Sequence, residues 1–123
     1  MVRIVICDED VQVCRFLQAA LQRLQFEVEI VHSAQACLAA CRESEPHLLV
    51  TDLHFADMQA LELLRLLRFS LPTLPIMAIS GEADDVLQEA WLNGAHWVMR
   101  KPILPAMLVQ TARHLISMRN RTT

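Results

Sequence analysis

Five short apolar runs constrain this chain of 123 residues more than any other feature. They are Val2–Cys7, Phe26–Val31, Leu48–Thr51, Ile76–Ile79 and His96–Arg100, each four to six residues long. Runs of that length between turn signals read as strands rather than helices. Each is followed by a stretch with helical spacing. Val13, Phe16, Leu17, Ala20, Leu21 and Leu24 predict a first helix of about four turns. Ser33 is a plausible N-cap for a second helix through about Glu43, which Pro46 stops. Leu61, Leu64 and Leu67 mark a third, with Glu62, Arg65 and Arg68 toward water. Ala83, Val86, Leu87, Ala90 and Trp91 mark a fourth, closed by Asn93-Gly94. Leu104, Leu108, Thr111, Leu115 and Met118 stripe a fifth. Strict alternation of strand and helix implies a parallel sheet with right-handed crossovers, in one α/β domain over residues 1–123. In the second run Val28 and Ile30 alternate with Glu27 and Glu29, which places it near a sheet edge.

Composition removes several function classes. Hydrophobic residues make up 54% of the chain and mean hydropathy is +0.30. No segment reaches the roughly 18 uninterrupted apolar residues of a membrane span, and the N-terminus lacks the apolar core of a signal peptide. A cytoplasmic location and no membrane partner are expected, with the apolar excess in a buried sheet and an oligomer face as a second outlet. Cys7, Cys14, Cys37 and Cys41 then read as small buried hydrophobes. Cys37, Cys41 and His32 form a partial metal set that no CxxC pair supports. Net charge is −3, and basic residues cluster only in the tail, at Arg113, Arg119 and Arg121. Direct nucleic-acid binding is not expected from such a surface. The only glycines are Gly81 and Gly94, so no glycine-rich phosphate loop exists.

The polar residues that terminate the runs carry the chemistry. In Pro46-His47-Leu48-Leu49-Val50-Thr51-Asp52 an apolar strand runs into a carboxylate. Alone, Asp52 reads as a solvated strand terminus or as a reactive group on a rigid element. Its companions decide for the second. Asp8, Glu9 and Asp10 follow the first run, Ser80 and Gly81 the fourth, and Lys101 the fifth. Ligands of open parallel sheets bind at these carboxyl ends. Two carboxylates about 4 Å apart repel by about 4 kcal/mol at an effective dielectric of 20. Close approach therefore demands protonation or a bridging cation, and hard oxygen donors without His or Cys favour Mg²⁺. The set looks built for phosphoryl transfer to a carboxylate. Asp52 is the expected nucleophile, Lys101 holds one phosphoryl oxygen, and Ser80 with the Gly81 N–H binds another.

These residues resemble the receiver domain of two-component response regulators. The resemblance rests on the acidic pair Asp8-Glu9, the context Pro46…Asp52-Leu53, Ser80, Gly94-Ala95 and Lys101-Pro102, in order along the whole chain. It implies a flavodoxin-like (βα)5 fold with strand order 2-1-3-4-5. It also implies a phosphorylation-controlled switch, not a turnover enzyme. Asp52 would accept a phosphoryl group from a histidine kinase or histidine phosphotransfer protein. Mg²⁺ would be held by Asp8, Glu9, Asp52 and the backbone carbonyl of His54. His54 and Glu82 would flank the phosphoryl group and tune its loss to water. Output would pass to a downstream protein target or a fused output domain. The surface of helix 4, strand 5 and helix 5 (Val86 to Ser117) would be the site for a homodimer or a partner, as is usual in that family.

The chain departs from the family at four places. Glu9 stands where an Asp usually meets the metal, and one extra methylene moves a carboxylate by about 1.5 Å; either the loop absorbs the change or Asp10 takes over. Ala56 and Ala60 replace a usual Pro and Gly after Asp52. Val98 replaces the aromatic three residues before the Lys, so Ser80 and Val98 do not form the usual switch pair. Trp97 beside it is a core filler or, with the 81–85 loop, the substitute readout. These departures keep a second hypothesis open, a degenerate receiver that is never phosphorylated and serves as a constitutive interaction module. A third, an Asp-dependent phosphohydrolase of haloacid dehalogenase type, fits Asp8-x-Asp10 but lacks an acidic pair after Glu89.

Overall fold

The structure is a computed structural model that describes residues 1–81 and 84–122, the side chains of 84–85 and 119–122 excepted. Glu82 and Ala83, to which a flanking role and a helix start were assigned above, lie outside the described residues. The elements alternate as expected: β1 (Arg3–Cys7), α1 (Val11–Gln22), β2 (Glu27–Val31), α2 (Ala34–Glu43), β3 (Leu48–Asp52), α3 (Ala60–Ser70), β4 (Ile76–Ser80), α4 (Asp84–Leu92), β5 (Trp97–Arg100) and α5 (Pro105–Thr122). The strands form one parallel sheet in the order β2-β1-β3-β4-β5. Its register sets Cys7 beside Thr51, Asp52 beside Ile79 and Ser80 beside Arg100. The polar strand ends are thereby aligned along one edge.

The continuous apolar character of β3 and β4 follows from their place. Helices cover both faces, so every residue of both strands is buried. On the edge strand β2, Glu27 and Glu29 are exposed, as their alternation predicted. Successive side chains of a strand take opposite faces, which divides the core in two. Val5, Cys7, Leu49, Ile76 and Ala78 pack with α2, α3 and α4. Ile4, Ile6, Leu48, Val50, Met77 and Met99 pack with α1 and α5. All four cysteines are buried free thiols. Hydrogen bonding to Cys41 and Cys7, with burial, pushes the Cys37 thiol far up and holds it protonated.

Helix starts are local. The Asp10 carboxylate accepts from the Gln12 and Val13 N–H groups at 2.8 and 3.4 Å and caps α1. Ser33 Oγ accepts from Ala36 N–H at 3.1 Å and caps α2. Such caps contribute about 1 kcal/mol each. The α4 C-terminus closes as expected: Gly94 adopts φ 107° and the Ala95 N–H returns to the Ala90 carbonyl at 3.0 Å.

Several side chains sit otherwise than their spacing suggested. α1 has 12 residues, just over three turns, and its buried stripe is Cys14, Leu17 and Leu21; Phe16 is exposed and Leu24 lies beyond the helix. α5 buries Leu108, Ala112, Leu115 and Ile116. Leu104 precedes that helix and is exposed, as is Met118. Trp97 is not a core filler: it is 40% exposed, while its neighbour Met99 fills the core on that face. Arg68 does not point to water. Its guanidinium donates to the Pro72 carbonyl at 3.0 Å and the Gly94 carbonyl at 2.7 Å, tying α3 to the turn before β5. Two histidines given no role hold strand starts. His47 donates its N–H to the Arg3 carbonyl at 2.8 Å and accepts the Arg3 N–H at Nδ1, 3.1 Å. His96 does the same to Ile76, at 2.8 and 3.2 Å.

Candidate functional site

Strand register brings four of the expected residues to one point. Asp8 follows β1 directly and is 1% exposed. Asp52 ends β3 at 8%, and Ser80 ends β4 fully buried. Lys101 follows β5, and its backbone N–H donates to the Ser80 carbonyl at 2.9 Å. From that anchored root the Lys101 ammonium reaches Asp8 Oδ2 at 2.9 Å and Asp52 Oδ1 at 3.5 Å. The Asp8 turn is itself fixed. Its Oδ1 accepts the Asp10 N–H at 2.8 Å, and its carbonyl lies 2.9 Å from His32 Nδ1. A carbonyl only accepts, so Nδ1 carries the proton there. Sequence reasoning gave His32 no such part, because the contact depends on how the β2–α2 connection passes β1.

Two carboxylates share one ammonium, so the cluster keeps an excess negative charge where little water reaches it. Burial raises the Asp52 pKa above its ordinary value and the charge of Asp8 adds to this; the Leu53 N–H and Lys101 oppose it without cancelling it. Burial alone would lower the Lys101 pKa, but the hydrogen bond to Asp8 and the charge of Asp52 outweigh it and the net shift is upward. A pair of hard carboxylates with surplus negative charge fits Mg²⁺, which binds through one or two carboxylates, keeps waters and accepts phosphate oxygens. Among the described residues no group of three or more His, Cys, Asp or Glu side chains is arranged to hold a metal. The fit therefore rests on Asp8 and Asp52.

The other acids are engaged elsewhere. Asp10 caps α1, which commits the carboxylate that was the alternative to Glu9. Glu9 Oε2 accepts the Ala56 N–H at 2.8 Å. Asp57, which carried no sequence signal, accepts the N–H groups of Ala34 and Gln35 at 3.1 and 2.9 Å. Those two hydrogen bonds, the one from Gln35 foremost, lower its pKa. Residues 53–60 line an open hollow of about 440 Å³ beside the site, with His54 exposed in it. Gly81 is exposed, and a Cβ there would lie 4.0 Å from the Lys101 side chain, so space does not demand glycine. Val98 is half-buried against the α2–α4 side of the core, and Trp97 faces the opposite side. A second, mostly apolar hollow of about 570 Å³ opens next to Lys101, lined by Val13, Phe16, Leu17, Pro102 and Ile103 among others. No helix among the described residues is long and apolar enough to cross a membrane.

Comparison with known proteins agrees with this geometry. The sequence pattern of the family described as response regulator receiver domain matches residues 4–113. The DNA-binding transcriptional regulator NtrC of Proteus hauseri is 28% identical over 98 residues, covering 79% of this chain and 21% of that protein. The DNA-binding response regulator MtrA of Mycobacterium tuberculosis is 29% identical over 112 residues, covering 90% of this chain and 49% of that protein. The chain thus spans between a fifth and a half of these curated relatives. A response regulator receiver domain protein (CheY-like) from Methanospirillum hungatei superposes with a TM-score of 0.92 at 25% identity, over 100% of this chain and 99% of that one. A receiver domain protein from Clostridium thermocellum superposes at 0.93 with 19% identity, over the whole of both chains.

Proposed function

Since the chain belongs to the response regulator receiver domain family of two-component signalling, we propose that it is a switch set by phosphorylation of Asp52. One observation carries this reading: Asp52 and Asp8 converge on Lys101 at the carboxyl edge of the sheet, at 3.5 and 2.9 Å. In the transfer, an Asp52 carboxylate oxygen forms a bond to phosphorus as the donor's histidine nitrogen–phosphorus bond breaks. The electron pair of that bond leaves on the histidine, which takes up a proton. Lys101 releases Asp52 and holds a phosphoryl oxygen, while the Ser80 hydroxyl and the Gly81 N–H bind another. Asp8, Asp52 and the backbone carbonyl of His54 would hold Mg²⁺, which when bound offsets the charge of the phosphoryl oxygens. His54, exposed in the hollow lined by residues 53–60, would flank the phosphoryl group and tune its loss to water. The donor is a histidine kinase or phosphotransfer protein, and the apolar hollow lined by Phe16 and Pro102 beside Lys101 offers it a seat. The signal leaves by protein–protein contact, to a separate target or an attached output domain, in the cytoplasm.

Intact mass after incubation with acetyl phosphate and Mg²⁺ tests this. An adduct of about 80 Da, one HPO₃ group, is expected on the wild type and absent from Asp52→Asn. No adduct on either protein leaves the constitutive interaction module, which Val98, half-buried where the family carries its switch aromatic, favours. Sustained phosphate release from a generic phosphoester means an enzyme instead.

A further inference from the structure

Glu9 and Ala56 belong to different connections, β1–α1 and β3–α3, that meet at the mouth of the site. Glu9 is exposed, yet its carboxylate is spent on a backbone N–H at 2.8 Å rather than turned toward Asp8, Asp52 and Lys101. Hydrogen bonds from an amide to a carboxylate are stronger than neutral ones. The next residue continues the tie: Asp57 accepts from Ala34 and Gln35 at the start of α2. Residues 56 and 57 thus join the β1–α1 and β3–α3 connections and the start of α2 into one clamp, and none of its three hydrogen bonds involves a cation. The contact needs a side chain of Glu length at position 9 and a backbone N–H at position 56, which every residue but Pro supplies. An Asp at position 9 is shorter by about 1.5 Å, one C–C bond, and a Pro at position 56 has no N–H to give. Asp10 does not substitute, because it caps α1.

We propose that Glu9 is a positioning residue that fastens the β3–α3 loop through the Ala56 N–H, and is not a metal ligand. The loop so held carries the His54 carbonyl and the residues that follow Asp52. The side-chain donors left for a divalent cation are Asp8 and Asp52 alone, a clause that rests on the function proposed above. The clamp itself exists with or without a cation.

The test uses the whole chain, ¹⁵N-labelled, as wild type, Glu9→Gln, Glu9→Ala and Ala56→Pro, with circular dichroism as the check on folding. In metal-free buffer the Ala56 amide exchanges slowly in the wild type and in Glu9→Gln, which keeps an acceptor oxygen. In Glu9→Ala its exchange rises about tenfold or more. Exchange unchanged in Glu9→Ala overturns the clamp. MgCl₂ is then titrated while the amides of residues 8 and 52 are followed. Glu9→Gln, which keeps the clamp, binds within about threefold of the wild type, Ala56→Pro, which frees the loop that carries the His54 carbonyl, binds more weakly, and the wild-type Ala56 amide stays protected at saturation. A tenfold weakening in Glu9→Gln, or release of the Ala56 amide on Mg²⁺ addition, makes Glu9 a ligand and overturns the proposal. A wild type that shows no Mg²⁺-dependent shift at all counts against the phosphorylation switch, and the exchange of Ala56 still decides the clamp.

Discussion

At the scale of single residues, Asp52 is a carboxylate whose charge the fold disfavours. Burial disfavours its charge, Asp8 adds repulsion, and Lys101 lies nearer to Asp8 than to Asp52. Its folded pKa lies above the unfolded value of about 3.9. A raised pKa means that the folded state binds the proton more tightly. The resulting stability is fully present below the unfolded pKa and is lost as pH rises through the folded one. At pH 7 the ionised Asp52 therefore opposes folding. Asp52→Asn should stabilise the metal-free protein at pH 7 by about 1 kcal/mol, the size of an ordinary substitution effect but of opposite sign. Urea midpoints at pH 7 and pH 4 check this: the gain shrinks at the lower pH, and a destabilised variant at pH 7 refutes the account. Asp8, Asp52, Ser80 and Lys101 were legible in the sequence because each ends or directly follows a strand, and a parallel sheet leaves such residues one place to go. The partners of Glu9 and Asp57 were not legible, since a loop-borne carboxylate takes its partner from the path of neighbouring loops.

At the scale of elements, the strand starts are secured by histidine rings as well as by the ladder. His96 exchanges both of its bonds with Ile76, closing the edge between β4 and β5 below the core. Its ring accepts the Ile76 N–H only while Nδ1 is unprotonated. Burial, and then the charge of Arg68, whose guanidinium lies 3.4 Å from Nδ1, lower its pKa. For a depressed pKa the contribution is present above the unfolded value, about 6.5, and is lost as pH falls through the folded one. Stability should therefore decline as pH is lowered from 7 to 5.5, and His96→Gln, whose amide oxygen accepts at any pH, should show a shallower decline. Equal slopes for the two proteins in urea titrations would remove His96 from the account. The strand–helix alternation was readable because periods of 2 and 3.6 residues differ so strongly. The rotation of α1 about its axis was not, although that of α3 was, with Leu64 and Leu67 inside and Glu62 and Arg65 outside. Phe16 and Cys14 are both apolar positions on α1, and only the packing of that helix against β1 and α5 decides that Cys14 goes in and Phe16 stays out.

At the scale of the whole molecule, the sheet buries what five apolar runs supplied, and the excess lies outside. Trp91, Leu92, Trp97, Leu104 and Met107 are all exposed large apolar side chains, drawn from α4, β5, the β5–α5 connection and the start of α5. Alternation of strand and helix implied a parallel sheet with right-handed crossovers, while its strand order came from the family resemblance; Trp91 and Leu104 belong to stripes whose helical spacing cannot tell an inner face from an outer one. Exposed aromatic residues are the kind that dominate interface energies when covered, and a C₂ dimer presents the same patch twice. Phosphorylation should therefore promote self-association through α4, β5 and α5. Sedimentation at about 100 µM protein is expected to show a monomer without phosphodonor and a dimer with acetyl phosphate and Mg²⁺. Trp97→Ala should take up the same 80 Da adduct yet dimerise at least about tenfold more weakly, a loss of ~1.4 kcal/mol. Asp52→Asn should remain monomeric throughout. A phosphorylated wild type that stays monomeric assigns this surface to a different protein, and a Trp97→Ala variant that dimerises as well as the wild type removes Trp97 from the interface.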